Sequence, residues 1–322
     1  MKSRDFEERK LRQLRNKKEI TVHIASLSDT AAPGLSRNLW GDNWVKEELS
    51  KALKKLGYLI SVSRPNQKPP DVLIHLSGGG VSHIYGKPIE KLPNSIFKIA
   101  WVYSHPEAVN AQNLCGYDRI YCCSMFFIAK LHAMGYKDAR VMLGATSKRP
   151  VKVANKYDIV FVGNNRGPHG MDGRAIINHL KSLGDFLYKI AIFGNNWKGK
   201  IPDSWYGGRY YPYPEIQKLY ASAKICLQDH RSEMNREGFV SVKIFDILAS
   251  GSLAISDANK GIDPIFKEAV PQYKSAQHLK QLLYRYINDP KERARLIKLG
   301  QKTAFSCTWE KRAALFMKKF YA

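Results

Sequence analysis

Residues 236–256 hold the side chains with the clearest spacing for binding an anion. They read REGFVSVKIFDILASGSLAIS, a glycine-containing turn followed by a short apolar helix that ends at Gly251 and then by a strand. The first N–H groups of a helix lack backbone partners and carry partial positive charge. Ser241 and Val242 at the predicted helix start, with Lys243 beside them, therefore predict a site for a diphosphate.

Two acids flank this helix start. Asp246 lies about one helical turn beyond Lys243, and a carboxylate there can accept two hydrogen bonds from the vicinal hydroxyls of a ribose. Glu237 precedes the helix, where it can reach a sugar. In the alternative interpretation, Asp246 pairs with Lys243 on a solvated face and Glu237 is an ordinary loop acid. The spacing alone does not choose between the two.

A second glycine-rich turn, FVGNNRGPHGMDGR, follows a predicted strand and leads into a predicted helix. Backbone N–H groups in such a turn can bind phosphate. The turn contains neither G-x-G-x-x-G nor a P-loop pattern, so it supports neither a dinucleotide fingerprint nor a triphosphatase. Gly163, Asn165, Arg166 and Arg174 are its candidate phosphate contacts, and a glycine-rich surface turn is the alternative.

The charge balance indicates an anionic partner. The 322 residues include 52 Lys and Arg against 28 Asp and Glu, a net charge of +24. Nucleic acid, anionic lipid or a phosphorylated ligand would suit this excess, and a merely solvated basic surface is the alternative. Five scattered cysteines predict reduced core thiols of a cytoplasmic protein and disfavour a zinc site. No apolar run is long enough to cross a bilayer, and the N-terminus lacks an apolar signal segment.

Strand and helix patterns alternate along the chain in two sets. Near-continuous apolar strands are typical of parallel sheets covered on both faces. The polar segment 145–156 is the predicted linker, so the pattern predicts two Rossmann-like domains. Ligands of such sheets bind beyond the carboxyl ends of the strands, here in the cleft between two facing domains. Strands are predicted at 20–26, 58–63, 71–77, 97–104, 118–124, 139–144, 157–163, 188–194, 223–228 and 252–256, and helices at 4–18, 43–57, 125–135, 173–184, 214–222, 241–250, 275–289, 290–301 and 308–320.

Residues 237–256 resemble the donor-binding signature of GT-B glycosyltransferases of the glycosyl transferases group 1 type. Lys243, Phe245 and Asp246 match the basic residue, Phe and acid of the CgeB-like branch. Eight residues separate Glu237 from Asp246 where the family has seven, and the second acid is Asp where the family has Glu. These departures leave the retaining or inverting outcome open.

Other segments resemble the same family over nearly the whole chain after residue 20. YDIVFVGNN resembles the first strand of the donor domain, with Arg174 on the helix that follows. IFGNNW, with Gly194 and Asn195, resembles the nucleoside loop, and YPYPEIQKLY, with Tyr213, resembles the segment that closes over the base. TWEKRAALFMKKF resembles the final helix, which crosses back to the first domain.

The resemblance implies the GT-B fold, an α/β architecture in which two Rossmann-like domains with parallel sheets face each other across a cleft. It predicts an acceptor-binding domain at 20–150 and a donor-binding domain at 151–305, and the basic residues before them predict an N-terminal helix or extension at 1–19. Residues 306–322 would form the C-terminal helix that returns to the N-terminal domain.

The resemblance also implies transfer of a sugar from a nucleoside diphosphate sugar to a hydroxyl acceptor. The helix start, Lys243 and Arg174 would stabilise the leaving diphosphate. The sequence has no D-x-D pattern in a suitable loop, which predicts a reaction without a metal or other cofactor. Asp42 lies where inverting enzymes keep a general base, although it could instead cap the following helix. His105 matches a histidine that related retaining enzymes place near the donor sugar.

The expected partners are a nucleotide-sugar and a saccharide or lipid-linked acceptor, as in cell-envelope synthesis. Basic residues in 1–19 and 43–57 predict contact of a cytoplasmic enzyme with the anionic inner face of a membrane. Two alternatives remain, a nucleotide-sugar epimerase or phosphorylase of the same fold, and a nucleic-acid-binding protein with degenerate GT-B domains. Nucleic acid is the less favoured partner because no RNA-reading motif or basic–aromatic strip is present.

Overall fold

The chain forms two compact α/β units. The computed structural model describes residues 4–26, 29, 41–61, 68–77, 83–84, 87–165, 173–184 and 188–318. As far as these residues extend, the first unit comprises Met1–Gly144, Glu237–Phe239 and Thr308–Ala322, and the second comprises Ala145–Arg236 and Val240–Cys307. Each unit contains one six-stranded parallel sheet. The predicted fold class is confirmed in these two parallel sheets.

The secondary structure alternates as the apolar pattern predicts. The helices are α1 (Arg4–Arg15), α2 (Gly41–Lys55), α3 (Ile128–Ala133), α4 (Ala175–Ser182), α5 (Ile216–Ala221), α6 (Ser232–Arg236), α7 (Val242–Ser250), α8 (Ile262–Phe266), α9 (Ala276–Asn288), α10 (Pro290–Ser306) and α11 (Trp309–Met317). The strands are β1 (Thr21–Ala25), β2 (Leu59–Ile60), β3 (Val72–Ser77), β4 (His83–Ile84), β5 (Lys87–Pro88), β6 (Phe97–Val102), β7 (Arg119–Cys122), β8 (Arg140–Val141), β9 (Tyr157–Val162), β10 (Ile190–Phe193), β11 (Tyr206–Gly208), β12 (Ala223–Gln228), β13 (Leu253–Asp257) and β14 (Gln272–Tyr273).

The sheet of the first unit has the strand order β2-β1-β3-β6-β7-β8. Its centre is the pair β3 and β6, in register from Val72 opposite Phe97 to Ser77 opposite Val102. Every residue of β6 is buried, as expected of a central parallel strand. On one flank of this unit, α11 packs against α2. Trp309 and Phe316 of α11 contact Trp101 of β6 edge to face, at ring-centroid distances of 6.2 and 5.5 Å.

The sheet of the second unit has the order β11-β10-β9-β12-β13-β14. The chain leaves the central strand β9 towards β10 on one side and then returns to β12 on the other. This reversal is a topological switch point, and ligands of open parallel sheets bind beyond the carboxyl ends of the strands at such points. The second unit therefore places its candidate site at the ends of β9, β10 and β12.

The helix α1 packs into the first unit more closely than its thin apolar stripe suggests. Leu11 and Leu14 are buried. Lys10 Nζ donates to Asp118 Oδ2 (2.8 Å) and to the carbonyl oxygen of Ile96 (2.8 Å). This buried ion pair connects α1 to the residues that precede β6 and β7.

Several strands and helices are shorter in the structure than predicted. The segments 58–63 and 139–144 contribute only the two-residue edge strands β2 and β8. The helix predicted at 125–135 begins at Ile128. All five cysteines are free, as predicted, but Cys115 is exposed and is not a core thiol. None of the helices in the described part of the chain combines the length and apolar character that crossing a bilayer requires.

Candidate functional site

Two turns meet at the carboxyl ends of β9 and β10. The first contains Gly163 and Asn165, and the second contains Gly194 and Asn195. The amide of Gly163 donates to the carbonyl oxygen of Phe193 (2.8 Å), and the amide of Asn165 donates to the carbonyl oxygen of Asn195 (2.9 Å). In return, the amide of Asn195 donates to Asn164 Oδ1 (3.0 Å). These bonds lock the two turns into one surface.

Gly194 is the residue that permits this close approach. Its φ is +147°. A Cβ at this position would lie 2.2 Å from the carbonyl oxygen of Gly163. That oxygen also accepts a hydrogen bond from Trp197 Nε1 (2.6 Å), so it cannot easily move away. Only glycine fits without displacing the neighbouring turn.

Polar side chains surround the paired turns. Asn165 Nδ2 donates to the carbonyl oxygen of Asn196 (3.1 Å), while its Oδ1 is buried and has no partner among the described residues. Asn195 Oδ1 accepts from Arg209 Nε (2.7 Å). Amides and guanidinium groups of this kind can bind a nucleoside or a phosphate. The predicted contact Arg166 lies outside the described residues.

Arg174 is largely occupied within the protein. It lies immediately before α4, where Nη1 donates to Asp229 Oδ1 (2.7 Å) and Nε donates to the carbonyl oxygen of Asn164 (3.0 Å). Arg174 is 9% exposed and Asp229 is 3% exposed. The guanidinium therefore neutralises a buried carboxylate and also holds the turn after β9, a role that its position in the sequence did not reveal.

The start of α7 lies at the end of β9. Lys243 Nζ donates to the carbonyl oxygen of Val162, the last residue of β9 (2.8 Å). Ser241 is the N-cap, and its hydroxyl oxygen accepts from the amide of Lys243 (3.4 Å). Val242 is the first helical residue, and Ser241, Val242 and Lys243 are all partly exposed. The structure thus brings the predicted helix start next to the predicted glycine turn, with a positive charge between them.

Sequence reasoning missed two residues that support this helix start. His230 follows β12 and Asp257 ends β13, which is the neighbouring strand. His230 Nδ1 lies 2.7 Å from Asp257 Oδ1, and the amide of Ser241 donates to His230 Nε2 (3.0 Å). The only signal in the sequence was a polar residue just after one apolar strand and another at the end of the next.

Asp246 lies further along α7 and is buried. Its Oδ1 accepts from Thr146 Oγ1 (2.6 Å), and its Oδ2 accepts from Tyr213 Oη (3.1 Å). The ring of Tyr213 lies 3.8 Å from Lys148 Nζ, a cation–π contact. Asp246 therefore joins the segment before β9 to Tyr213, the residue predicted to lie near the base. A solvated pair with Lys243, the alternative that the spacing left open, does not fit this burial.

The remaining candidates lie in the first unit. Asp42 is in the first turn of α2, which begins at Gly41, so it is not the N-cap of a helix starting at residue 43 or 44. Tyr103 follows β6 nearby. Burial and the negative charge of Asp42 raise the pKa of the Tyr103 hydroxyl well above its usual range. The charge of Asp42 therefore acts on Tyr103, which directly follows the carboxyl end of β6.

His105 lies three residues beyond β6 and is partly exposed. Its φ of +52° is left-handed, an unusual conformation for a residue with a side chain. Its Nδ1 lies 2.9 Å from Glu107 Oε1. A left-handed backbone conformation at a non-glycine residue costs of order 1–3 kcal/mol. It persists where the surrounding structure fixes the residue, often at functional sites. The strain supports a specific role for His105.

Glu237 is held by two contacts in the first unit. Its Oε1 accepts from Lys130 Nζ (2.6 Å), and its carbonyl oxygen accepts from Ser124 Oγ (2.6 Å). Two residues later, Phe239 is fully buried and packs edge to face on Phe127 at 5.5 Å. This segment is anchored, and the Glu237 carboxylate has a cationic partner.

The chain matches known proteins in sequence over residues 168–318 and in fold over 94% of its length. Residues 168–318 match the family described as "Glycosyl transferase-like". No curated protein sequence matches the chain. The sucrose-phosphate synthase of Thermosynechococcus elongatus is similar in structure, with a TM-score of 0.62 and 15% identity over 94% of this chain and 98% of that one.

Two glucosyltransferases have similar structures. The β-glucosyltransferase of T4 phage has a TM-score of 0.60 and 11% identity, over 94% of this chain and 100% of that one. Other structures of the T4 enzyme hold UDP-glucose, or UDP with Mn²⁺. An α-glucosyltransferase in complex with UDP-glucose and DNA has a TM-score of 0.61 and 12% identity, over 94% of this chain and 98% of that one. These likenesses establish the GT-B fold, and with the family match they support a GT-B glycosyltransferase.

Proposed function

We propose that this protein transfers a sugar from a nucleoside diphosphate sugar to a hydroxyl group of an acceptor. The observation that carries the proposal is the contact between Lys243 at the start of α7 and the end of β9, beside the paired glycine turns. A helix N-terminus, a lysine and exposed backbone at a switch point together suit a diphosphate. Structural neighbours that bind UDP-glucose support the same assignment.

In this proposal, the protein lowers the barrier mainly by stabilising the leaving diphosphate. Negative charge grows on that group as the bond to the sugar breaks. The ammonium of Lys243 and the N–H group of Val242 at the α7 start would already be in place when that bond breaks, so they need little reorganisation during the reaction. A bound diphosphate would draw Lys243 Nζ from the neutral carbonyl of Val162 to a charged partner, which forms a stronger hydrogen bond.

We propose that these groups act without a metal ion, as the absence of a D-x-D pattern predicts. The T4 phage enzyme bound to UDP and Mn²⁺ makes this a point to test. In the first unit, Asp42 and His105 are the proposed base and sugar contact. Glu237 is proposed as a further sugar contact through its carboxylate. Asp246 is proposed to act on the ribose side, directly or through Tyr213.

For the acceptor, we propose a cell-envelope saccharide or a lipid-linked saccharide, handled by a cytoplasmic enzyme at an anionic membrane surface. The motive is the resemblance to the group 1 type and the net charge of +24. A second candidate acceptor is DNA. The same charge favours it, since a phosphate backbone attracts a basic protein, and the neighbouring α-glucosyltransferase binds DNA.

The test is UDP binding by Lys243→Ala, measured by calorimetry in excess EDTA. Loss of one charge-assisted hydrogen bond costs roughly 1.5–3 kcal/mol, so we expect affinity to fall by one to two decades. The matched control is Lys189→Ala. Lys189 is likewise a lysine of the second unit, but it is exposed and precedes β10 at the amino end of the sheet, so its loss should leave affinity within threefold.

If wild-type protein binds none of UDP, ADP, GDP or dTDP, the proposed donor is wrong. If the two lysine variants lose affinity equally, the site is not at α7. If binding requires Mg²⁺ or Mn²⁺, the metal-free part of the proposal fails while the donor class stands.

A further inference from the structure

His230 and Asp257 begin a chain of hydrogen bonds that ends on the backbone of α7. They lie at the carboxyl ends of the adjacent parallel strands β12 and β13. The His230 side chain is fully buried, and the Asp257 side chain is 15% exposed. His230 Nδ1 lies 2.7 Å from Asp257 Oδ1, and the amide of Ser241 donates to His230 Nε2 (3.0 Å).

This geometry fixes the protonation of the imidazole. The amide of Ser241 can only donate, so Nε2 must accept and carries no proton. The proton of a neutral ring is then on Nδ1, from which it is donated to Asp257. An imidazolium would place an N–H against the Ser241 N–H. His230 is therefore a neutral bridge with one defined tautomer.

Asp257 is itself held by donors on both oxygens. Its Oδ2 accepts from the amide of His230 (3.0 Å) and from Asn235 Nδ2 (2.9 Å), and its Oδ1 also accepts from Ser256 Oγ (2.9 Å). Burial pushes the pKa of Asp257 upwards, but the hydrogen bonds from His230 and its other donors outweigh burial and lower it. The carboxylate is thus ionised and cannot rotate freely, so it orients the imidazole ring.

The chain of bonds determines which donors at the α7 start are engaged inside the protein. The Ser241 amide is bound to His230, and the Lys243 amide is bound to the Ser241 hydroxyl oxygen. The amide of Val242 has no acceptor among the described residues. With its neighbours on either side fixed, the Val242 N–H keeps a constant direction at the helix start.

We infer that Asp257 and His230 form a positioning relay, which fixes the Ser241 amide and thereby aims Val242 N–H and Lys243 at the donor diphosphate. This inference rests on the proposed function, because the diphosphate is the proposed ligand of α7. His230 and Asp257 are positioning residues that need not touch the donor. A buried acceptor that must point at one backbone N–H explains why a histidine, rather than an apolar residue, fills this position.

Two variants separate the two ends of the relay. In His230→Gln, the side-chain oxygen can still accept from Ser241, but the bond to Asp257 is lost. In His230→Asn, the side-chain amide can still donate to Asp257, but the acceptor for Ser241 is lost. Because Asp257 no longer orients the acceptor in His230→Gln, we expect this variant to bind UDP about threefold more weakly than wild type. We expect His230→Asn, which leaves the Ser241 amide without its acceptor, to bind at least tenfold more weakly than wild type, with both affinities measured by calorimetry. Equal losses in both variants would overturn the relay, since mere filling of the core would affect both alike.

A measurement without ligand distinguishes failure of the relay from failure of the donor site. Amide hydrogen exchange at Ser241 should be fastest in His230→Asn, and in His230→Gln it should lie between that variant and wild type. If UDP does not bind wild-type protein but this exchange pattern holds, the donor assignment fails and the positioning of Ser241 stands. If exchange at Ser241 is the same in all three proteins, the relay is wrong whatever UDP does.

Discussion

Arg174 and Lys243 carry the same charge but meet different environments, and burial decides what each can do. Arg174 is 9% exposed and is bound to the buried carboxylate of Asp229. Lys243 is partly exposed, and its Nζ donates to the neutral carbonyl oxygen of Val162. A charged ligand can compete with that neutral carbonyl for the ammonium of Lys243, whereas moving Arg174 would leave the buried Asp229 carboxylate without its guanidinium. The sequence placed both residues at the diphosphate and could not distinguish them.

Arg174→Ala should therefore lower stability and not only donor binding. Removing one partner of a buried ion pair costs about 3–5 kcal/mol, because the other charge stays buried. We expect the free energy of unfolding in urea to fall by this amount. The double variant Arg174→Met/Asp229→Leu should recover most of the loss, since it leaves no buried charge.

The control for this prediction is Arg285→Ala on α9. Arg285 lies 3.6 Å from Glu292, but its side chain is 60% exposed. Exposed pairs contribute about 0–1 kcal/mol, so this variant should unfold close to wild type. An Arg174→Ala protein as stable as the Arg285→Ala protein would show that the buried pair does not support the fold.

At the scale of elements, long apolar runs with clear ends were predictable and short segments were not. β12 lies at its predicted bounds, and α7 begins one residue after its predicted start, because Ser241 and Gly251 mark its two ends. Five-residue helices such as α6 and α8 are too short to show a helical period. β2 and β8 are short edge strands, and each of them pairs with only one neighbouring strand.

The candidate site shows the same division. The glycine turns and the start of α7 have local signatures, so the sequence indicated them. The bonds of Asp246 to Thr146 and of His230 to Asp257 join residues far apart in the chain. They depend on which strands become neighbours, and a single sequence does not specify that pairing.

The joined turns after β9 and β10 give a prediction at this scale. Gly194→Ala would place a Cβ 2.2 Å from the carbonyl oxygen of Gly163, so one turn must move. We expect UDP affinity to fall at least tenfold and the protein to lose several kcal/mol of stability, as strained backbone substitutions do. Calorimetry and urea unfolding would measure the two effects.

Gly199→Ala is the matched control for the turns. Gly199 also has a positive φ, +71°, but a Cβ there would meet nothing within 4 Å. The left-handed conformation alone should cost roughly 1–2 kcal/mol and leave UDP affinity near wild type. If Gly194→Ala behaves like Gly199→Ala, the contact between the turns does not shape the donor site.

For the whole molecule, the net charge of +24 is only partly explained by a site for one diphosphate. Internal pairing uses some of the basic residues of the N-terminal helix region. Lys10 is buried with Asp118, and Lys17 pairs with Asp71. Deleting 1–19, the simplest test of this region, would therefore also remove Leu11 and Lys10 from the interior of the first unit. Exposed residues are the better targets, because their loss changes charge and leaves packing intact.

Arg9, Arg12 and Lys18 are exposed in this region, and we expect their joint replacement by Gln to weaken binding to anionic vesicles at low salt. Each Lys or Arg near an anionic leaflet contributes about 1 kcal/mol, so the triple variant should bind roughly 100-fold less tightly in a sedimentation assay. Replacing Lys291, Lys298 and Lys302 of α10 by Gln removes the same charge from an exposed face of the second unit and should have a much smaller effect.

Equal losses in the two triple variants would mean that the overall charge of the protein, and not its N-terminal region, drives adsorption to the vesicles. Equal binding of the wild type to neutral and anionic vesicles, or to neither, would contradict the membrane proposal. Salt-sensitive binding to duplex DNA in its place would favour the nucleic-acid acceptor, because release of counterions from the phosphate backbone makes such binding fall steeply with salt.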